Sequence, residues 1–314
     1  MRLEEIMSIL ENAKRIGRGV IRYGNVATYI PELAKADKNK LGICLYTIDG
    51  SRFETGNTDD RFTIQSISKV MALCLALDTF GSEIVFERVG VEPSGEAFNS
   101  LVELDNRSNR PFNPMINSGA ITIASMLVSR YSIEDMQKYM QDVCEDPEIA
   151  MDEAVFQSEM ETCARNKAIA YLLKSKNIID SDVEDSVVFY TQMCAMSVTA
   201  KNLATFGLLL ANDGIQISTG KRLITSQTVR LVLTIMLTCG MYDGSGEFAL
   251  KTGIPTKSGV GGGLLSVAQN KMGIGIYGPS LDEKGNCIAG CELLGYISEA
   301  LNLHIFNKAE WKEE

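Results

Sequence analysis

Histidine is almost missing from this 314-residue chain: His304, close to the C-terminus, is the only one. A Cys-His or Ser-His catalytic pair is therefore improbable over most of its length, and a zinc site has little to build on. There is no CxxC pair among the eight cysteines. Most stand in apolar runs such as Ile43-Cys44-Leu45 and Leu73-Cys74-Leu75, which reads as buried reduced thiols in a reducing compartment. No apolar run reaches the ~18–20 residues that a bilayer span requires. No basic cluster stands out, and the net charge of -10 with a pI near 4.9 argues against nucleic acid or an anionic membrane as partner. The N-terminus lacks the pattern of an export signal. Arg2, Glu4 and Glu5 come early, while Leu3, Ile6, Met7 and Leu10 fall at helical spacing, so residues 2–16 read as an amphipathic helix. The expectation is a cytoplasmic protein with neither nucleic-acid nor membrane partner.

Internal repeats, low-complexity tracts and Pro/Ser-rich linkers are also missing, so residues 1–314 read as a single domain. Leu41 to Ile48 is strand-like, Asp49-Gly50 is a hairpin turn and Ser51 to Gly56 returns as the partner strand. A helix is expected from Ser66 to Leu77, with Val70, Leu73, Cys74 and Leu77 on one face. The middle is mainly helical, most clearly at Asn166–Lys174, Ser197–Asn212 and Thr225–Leu237. Strands return at Leu264–Ala268 and Met272–Tyr277, and a final helix places Leu293, Ile297, Leu301 and His304 close to one face. This order predicts an α/β protein of α+β type. An antiparallel sheet assembled from about 20–65 and 245–304 would be flanked by helices, with a helical subdomain of about 66–244 inserted.

Chemistry concentrates at Gln65-Ser66-Ile67-Ser68-Lys69. A serine at the mouth of an apolar helix sits where backbone N–H groups favour negative charge, and a lysine one turn on projects beside it. Desolvated, that amine could accept the serine proton; the bland reading is a capping serine with a surface lysine. A second copy, Ser218-Thr219-Gly220-Lys221, lies in a Gly-containing loop and is set aside. Lys257-Ser258-Gly259-Val260-Gly261-Gly262-Gly263 strengthens the catalytic reading. In Ser-x-x-Lys acyl-enzymes a Lys-[Ser/Thr]-Gly edge strand lines the site, and a backbone N–H just after it completes an oxyanion hole with the N–H of the nucleophile. Gly273-Ile274-Gly275-Ile276-Tyr277-Gly278 matches GxGxxG but lies in a strand-like alternation with no helix opening after it, so a dinucleotide site is not expected.

Several blocks, in order, resemble the serine-dependent glutaminases of the β-lactamase/penicillin-binding-protein fold, in their compact bacterial form. They are Val26 to Ala34, Gln65 to Lys69, Val91 to Gly95, Asn113 to Ile121, Phe156 to Glu159 with Arg165-Asn166, Phe189-Tyr190, Cys239 to Asp243 and Lys257 to Val260. The resemblance implies hydrolysis of L-glutamine to L-glutamate and ammonia, with Ser66 as nucleophile and Lys69 as its activator. It implies Tyr242 as a proton relay beside them, and the Val260 N–H in the oxyanion hole with that of Ser66. Tyr29, Gln65, Asn117, Glu159, Asn166 and Tyr190 would surround the substrate, Glu159 facing its α-ammonium. It also favours a homo-oligomer, dimer or tetramer, and a lid at Glu96–Pro111.

The expected course is attack of Ser66 Oγ on the side-chain amide, loss of ammonia, and hydrolysis of a γ-glutamyl ester, with no metal or organic cofactor. Whether Lys69 or Tyr242 is the operative base stays open. Three other readings compete: a β-lactamase or transpeptidase-like acyl-enzyme, a non-catalytic glutamine-sensing domain, and an amidotransferase subunit.

Overall fold

The computed structural model describes residues 3–95, 99–100 and 110–307. Its first helix, α1 (Leu3–Val20), buries Ile6, Leu10, Ala13 and Gly17, one residue per turn, while Leu3 stays outside. Then come β1 (Gly42–Thr47) and β2 (Arg52–Gly56), a hairpin with Tyr46 opposite Arg52 and Gly50 at the positive φ that its turn requires. Next is a short β3 (Phe62–Thr63). The helices α2 (Ser68–Phe80), α3 (Ser82–Arg88), α4 (Asn117–Leu127), α5 (Ile133–Cys144), α6 (Glu153–Thr162), α7 (Ala164–Ser175) and α8 (Val183–Cys194) follow. A short β4 (Ser197–Val198) pairs with β3, and α9 (Ala200–Ala211), α10 (Ser226–Cys239) and α11 (Ser245–Thr252) lead to the last strands. These are β5 (Thr256–Ser258), β6 (Gly263–Ala268) and β7 (Met272–Tyr277), closed by α12 (Ile288–Ala300).

The main sheet is antiparallel throughout, in the order β2-β1-β7-β6-β5, so strands from both ends of the chain meet at β1–β7. On one face Leu41, Ile43, Leu45, Ile274 and Ile276 share a core with Leu10 of α1 and Leu293 of α12. On the other, α9 lies directly on β6 and β7. A Cβ at Gly275 would collide with Ala200 O and one at Gly273 with Ala204 O. The GxG spacing is therefore a device for close helix–sheet packing, and the strand it occupies is buried along its whole length.

Four expectations are corrected. The helix after Ser66 is not one-faced: residues 68–74, 76 and 77 are all buried, because α2 runs through the middle of the helical core. Ser66 itself lies in a 3-10 turn (Gln65–Ile67) before that helix, with Gln65 at φ 49°. The stretch expected as a helix from Ser197 begins as strand. Thr199 Oγ1 accepts from Asn202 N while the Asn202 side chain accepts from Thr199 N, which starts α9 at Ala200. His304 lies beyond α12 rather than on it, against Gly253. Most of the segment expected as a lid, Glu96–Pro111, lies outside the described residues.

Candidate active site

The Gln65 φ of 49° turns the chain sharply between β3 and α2 and presents Ser66 at the bottom of a cleft, nearly covered. The β5–β6 turn closes down on this turn from the sheet side. A Cβ at Gly259 would stand 2.8 Å from Ile64 O, and one at Gly261 would collide with Thr63 O, so only glycine lets the two backbones meet. Among the described residues the Val260 N–H makes no backbone hydrogen bond, although Gly259 N and Gly262 N on either side do (3.0 and 2.9 Å).

Lys69, one turn into the helix, is 2% exposed. Its Nζ donates to Met115 O (3.1 Å) and Asn117 Oδ1 (2.8 Å) and lies 5.9 Å from the centre of the Tyr190 ring. Burial holds its ammonium down at a pKa of about 8, with the nearby Cys194 and Glu159 opposing. Asn117, the first residue of α4, is a hub. Its Oδ1 also accepts from the Tyr190 hydroxyl (3.4 Å) and its Nδ2 donates to Asn166 Oδ1 (2.9 Å).

Glu159 on α6 is buried, and burial raises its carboxyl to about 7 against the opposing pull of Gln65 Nε2, which donates to Oε2 at 3.4 Å, and of Lys69. Tyr242 reaches the same place from the sheet side. It sits at φ 55° in a 3-10 turn, within hydrogen-bonding reach of the Ser66 hydroxyl, and donates to Ser258 O at 3.3 Å. Burial pushes its phenol well above the ordinary tyrosine range. Val260 packs with Tyr242, Ala27 and Leu281.

The structure thus gathers the expected residues. Gln65, Ser66, Asn117, Glu159, Asn166 and Tyr190 line one cleft, which Tyr29, 53% exposed, borders at its mouth. Lys69 is held to Asn117, while Tyr242, within reach of Ser66, packs against Val260 outside the lining of that cleft. Asn99, Thr162, Cys163 and Arg165 line it too, and sequence reasoning had not singled them out as site residues. Arg165 carried the one available signal, being a cation beside Asn166 at the start of α7. The exposed Ser218–Lys221 loop is elsewhere. Among the described residues no group of His, Cys, Asp and Glu could hold a metal ion, and no helix is long and apolar enough to cross a membrane.

The sheet-and-helix frame that carries Ser66 and Lys69 is the β-lactamase-like fold. The comparisons narrow the class. A glutaminase family model matches residues 24–306. The glutaminase of Alkaliphilus oremlandii is 46% identical over 95% of this chain and 99% of its own length, and that of Fusobacterium nucleatum 48% over 90% and 94%. Among solved structures, the probable glutaminase YbaS superposes with a TM-score of 0.93 at 32% identity, covering 98% of this chain and 100% of that one. The Bacillus subtilis glutaminase YbgJ superposes with a TM-score of 0.86 at 37% identity, over 96% and 99%. That structure is a covalent complex with 5-oxo-L-norleucine, formed by reaction of the protein with 6-diazo-5-oxo-L-norleucine. The chain belongs to the glutaminase family.

Proposed function

We propose that this chain hydrolyses L-glutamine to L-glutamate and ammonia through a γ-glutamyl ester on Ser66. The observation that carries this reading is the polarity of the cleft. A serine hydroxyl within hydrogen-bonding reach of a phenol, and one helical turn from a buried low-pKa amine, shares a cleft with the buried carboxyl of Glu159 and with amides.

Glutamine entering this space sets its α-ammonium against Glu159. Asn117, Asn166, Tyr190, Tyr29 and the Gln65 amide supply polar contacts around the amino-acid end. The side-chain amide then reaches Ser66. Oγ attacks the amide carbon as its proton passes to Tyr242, whose own hydroxyl proton is given up in the same step to neutral Lys69 as the final acceptor. The oxyanion meets the N–H groups of Ser66 and Val260. Collapse breaks the C–N bond, the proton is returned to the leaving nitrogen, and ammonia departs. Water, deprotonated by the same groups, opens the ester and restores Ser66.

A β-lactam substrate fits less well, because it presents a carboxylate and no ammonium to a cleft whose buried charge is an acid. Hydrolysis of nitrocefin at a rate comparable with glutamine would favour that rival. The test of the covalent step is reaction with 6-diazo-5-oxo-L-norleucine followed by peptide mass analysis. The adduct is expected on the peptide containing Ser66, and labelling elsewhere would refute the assignment. The reading includes a cytoplasmic homo-oligomer with no resident cofactor.

A further inference from the structure

Lys257 has no part in the mechanism above, yet it is 0% exposed and among the bulkiest fully buried side chains. Among the described residues it makes no ion pair. Burying an amine without an anion is unfavourable, and a methionine would fill similar space without that penalty. The amine must therefore be explained by what it touches, and it touches two things. Nζ donates to Ser258 O at 2.6 Å and stands 4.4 Å from the centre of the Tyr242 ring. Ser258 O is also the acceptor of the Tyr242 hydroxyl, at 3.3 Å.

We propose that Lys257 is a positioning residue for Tyr242, fixing the phenol against Ser66 by its contact with the ring face and by the carbonyl both groups share. The inference rests on the role given above to Tyr242. It accounts for how a non-glycine residue is held at φ 55° in a short turn, since such a conformation persists only where the surroundings over-determine it. Strand pairing supplies the rigid base: Lys257 is opposite Leu265 and Ser258 opposite Leu264 on the edge of the sheet. Burial, together with the positive charge of Lys69, pushes Lys257 well below the ordinary lysine range. Its Nζ keeps an N–H to give to the carbonyl in either protonation state.

The test is a cycle of Lys257→Met, Tyr242→Phe and the double variant, with kcat and KM for L-glutamine measured on each and a thermal melt confirming the fold. Lys257→Met is expected to lower kcat about tenfold or more with KM changed less than about twofold, and to have no further effect once Tyr242 is Phe. Lys257→Gln, which keeps an N–H donor, should retain more of kcat than Met; it takes the place of Met in the cycle should Met fail to fold. An equal loss of kcat in both backgrounds would overturn the proposal, as would wild-type kcat in Lys257→Met. Should Tyr242→Phe alone keep wild-type kcat, the role assigned to Tyr242 fails first and the positioning role falls with it.

Discussion

Lys69 and Glu159 are displaced by the same cause, burial, in directions that suit what each must do. The amine moves toward neutrality, and the carboxyl toward a proton that an arriving ammonium would displace. Two pH dependences follow. kcat should rise with pH through about 8 as Lys69 loses its proton, and a kcat flat from mildly acidic to alkaline pH would exclude a lysine base. KM for glutamine should fall as pH rises through about 7, where Glu159 becomes the anion that pairs with the α-ammonium. Glu159→Gln should then raise KM by at least about tenfold and remove that dependence. Stability is linked to the same shift. Between 4.5 and about 7 the folded chain holds a Glu159 proton that the unfolded chain has lost, so this stabilising contribution declines with rising pH. The melting temperature of Glu159→Gln should accordingly gain on the wild type from pH 4.5 to 7 in the absence of substrate, and a constant gap would contradict it. Of these side chains, Ser66 and Lys69 were legible from their spacing. Tyr242 was accessible only through family resemblance, because a left-handed turn at a tyrosine leaves no local pattern, whereas the Val260 N–H was marked by the Lys-Ser-Gly stretch just before it. The coupling of Lys257 to Tyr242 could not be read either, since the spacing does not say which way a strand side chain faces.

The elements that matter most are the two turns that meet at Ser66. Gly261→Ala would push the β5–β6 turn off Thr63 O and with it the Val260 N–H, a donor of the kind worth about 100-fold in rate. Its kcat should fall by that order while its melt shifts by only a few degrees; wild-type kcat would show that the turn does not place the donor. Gly275→Ala should do the reverse. It separates α9 from β7 and costs about 1–3 kcal/mol of stability, seen as a lower melting temperature, with activity retained per folded molecule. The β1–β2 hairpin and β7 could be read because Asp-Gly turns and strand alternation are local signals. The burial of α2 on every side could not, since it depends on the helices that come later in the chain to surround it.

Across the molecule, the site belongs to neither end of the chain. Ser66, Asn117 and Glu159 come from the helical run, Tyr242 and Val260 from the sheet side, and α9 ties the two by packing on β6 and β7. If residues 1–314 form one domain, unfolding should be a single cooperative transition that abolishes activity and secondary structure together; two resolved transitions would speak for separable parts. The sheet-helix-sheet order was legible because helical and strand periodicities switch cleanly. The docking of α9 on the sheet was not, for its apolar residues read the same in either core. Whether Ser66 is the group that turns over glutamine is decided by measuring glutamate and ammonia release from L-glutamine by the purified wild type and by Ser66→Ala. The wild type should release both products in equal amounts, and the variant should be slower by on the order of 10,000-fold. Release surviving in Ser66→Ala would place the chemistry on another residue and contradict the mechanism.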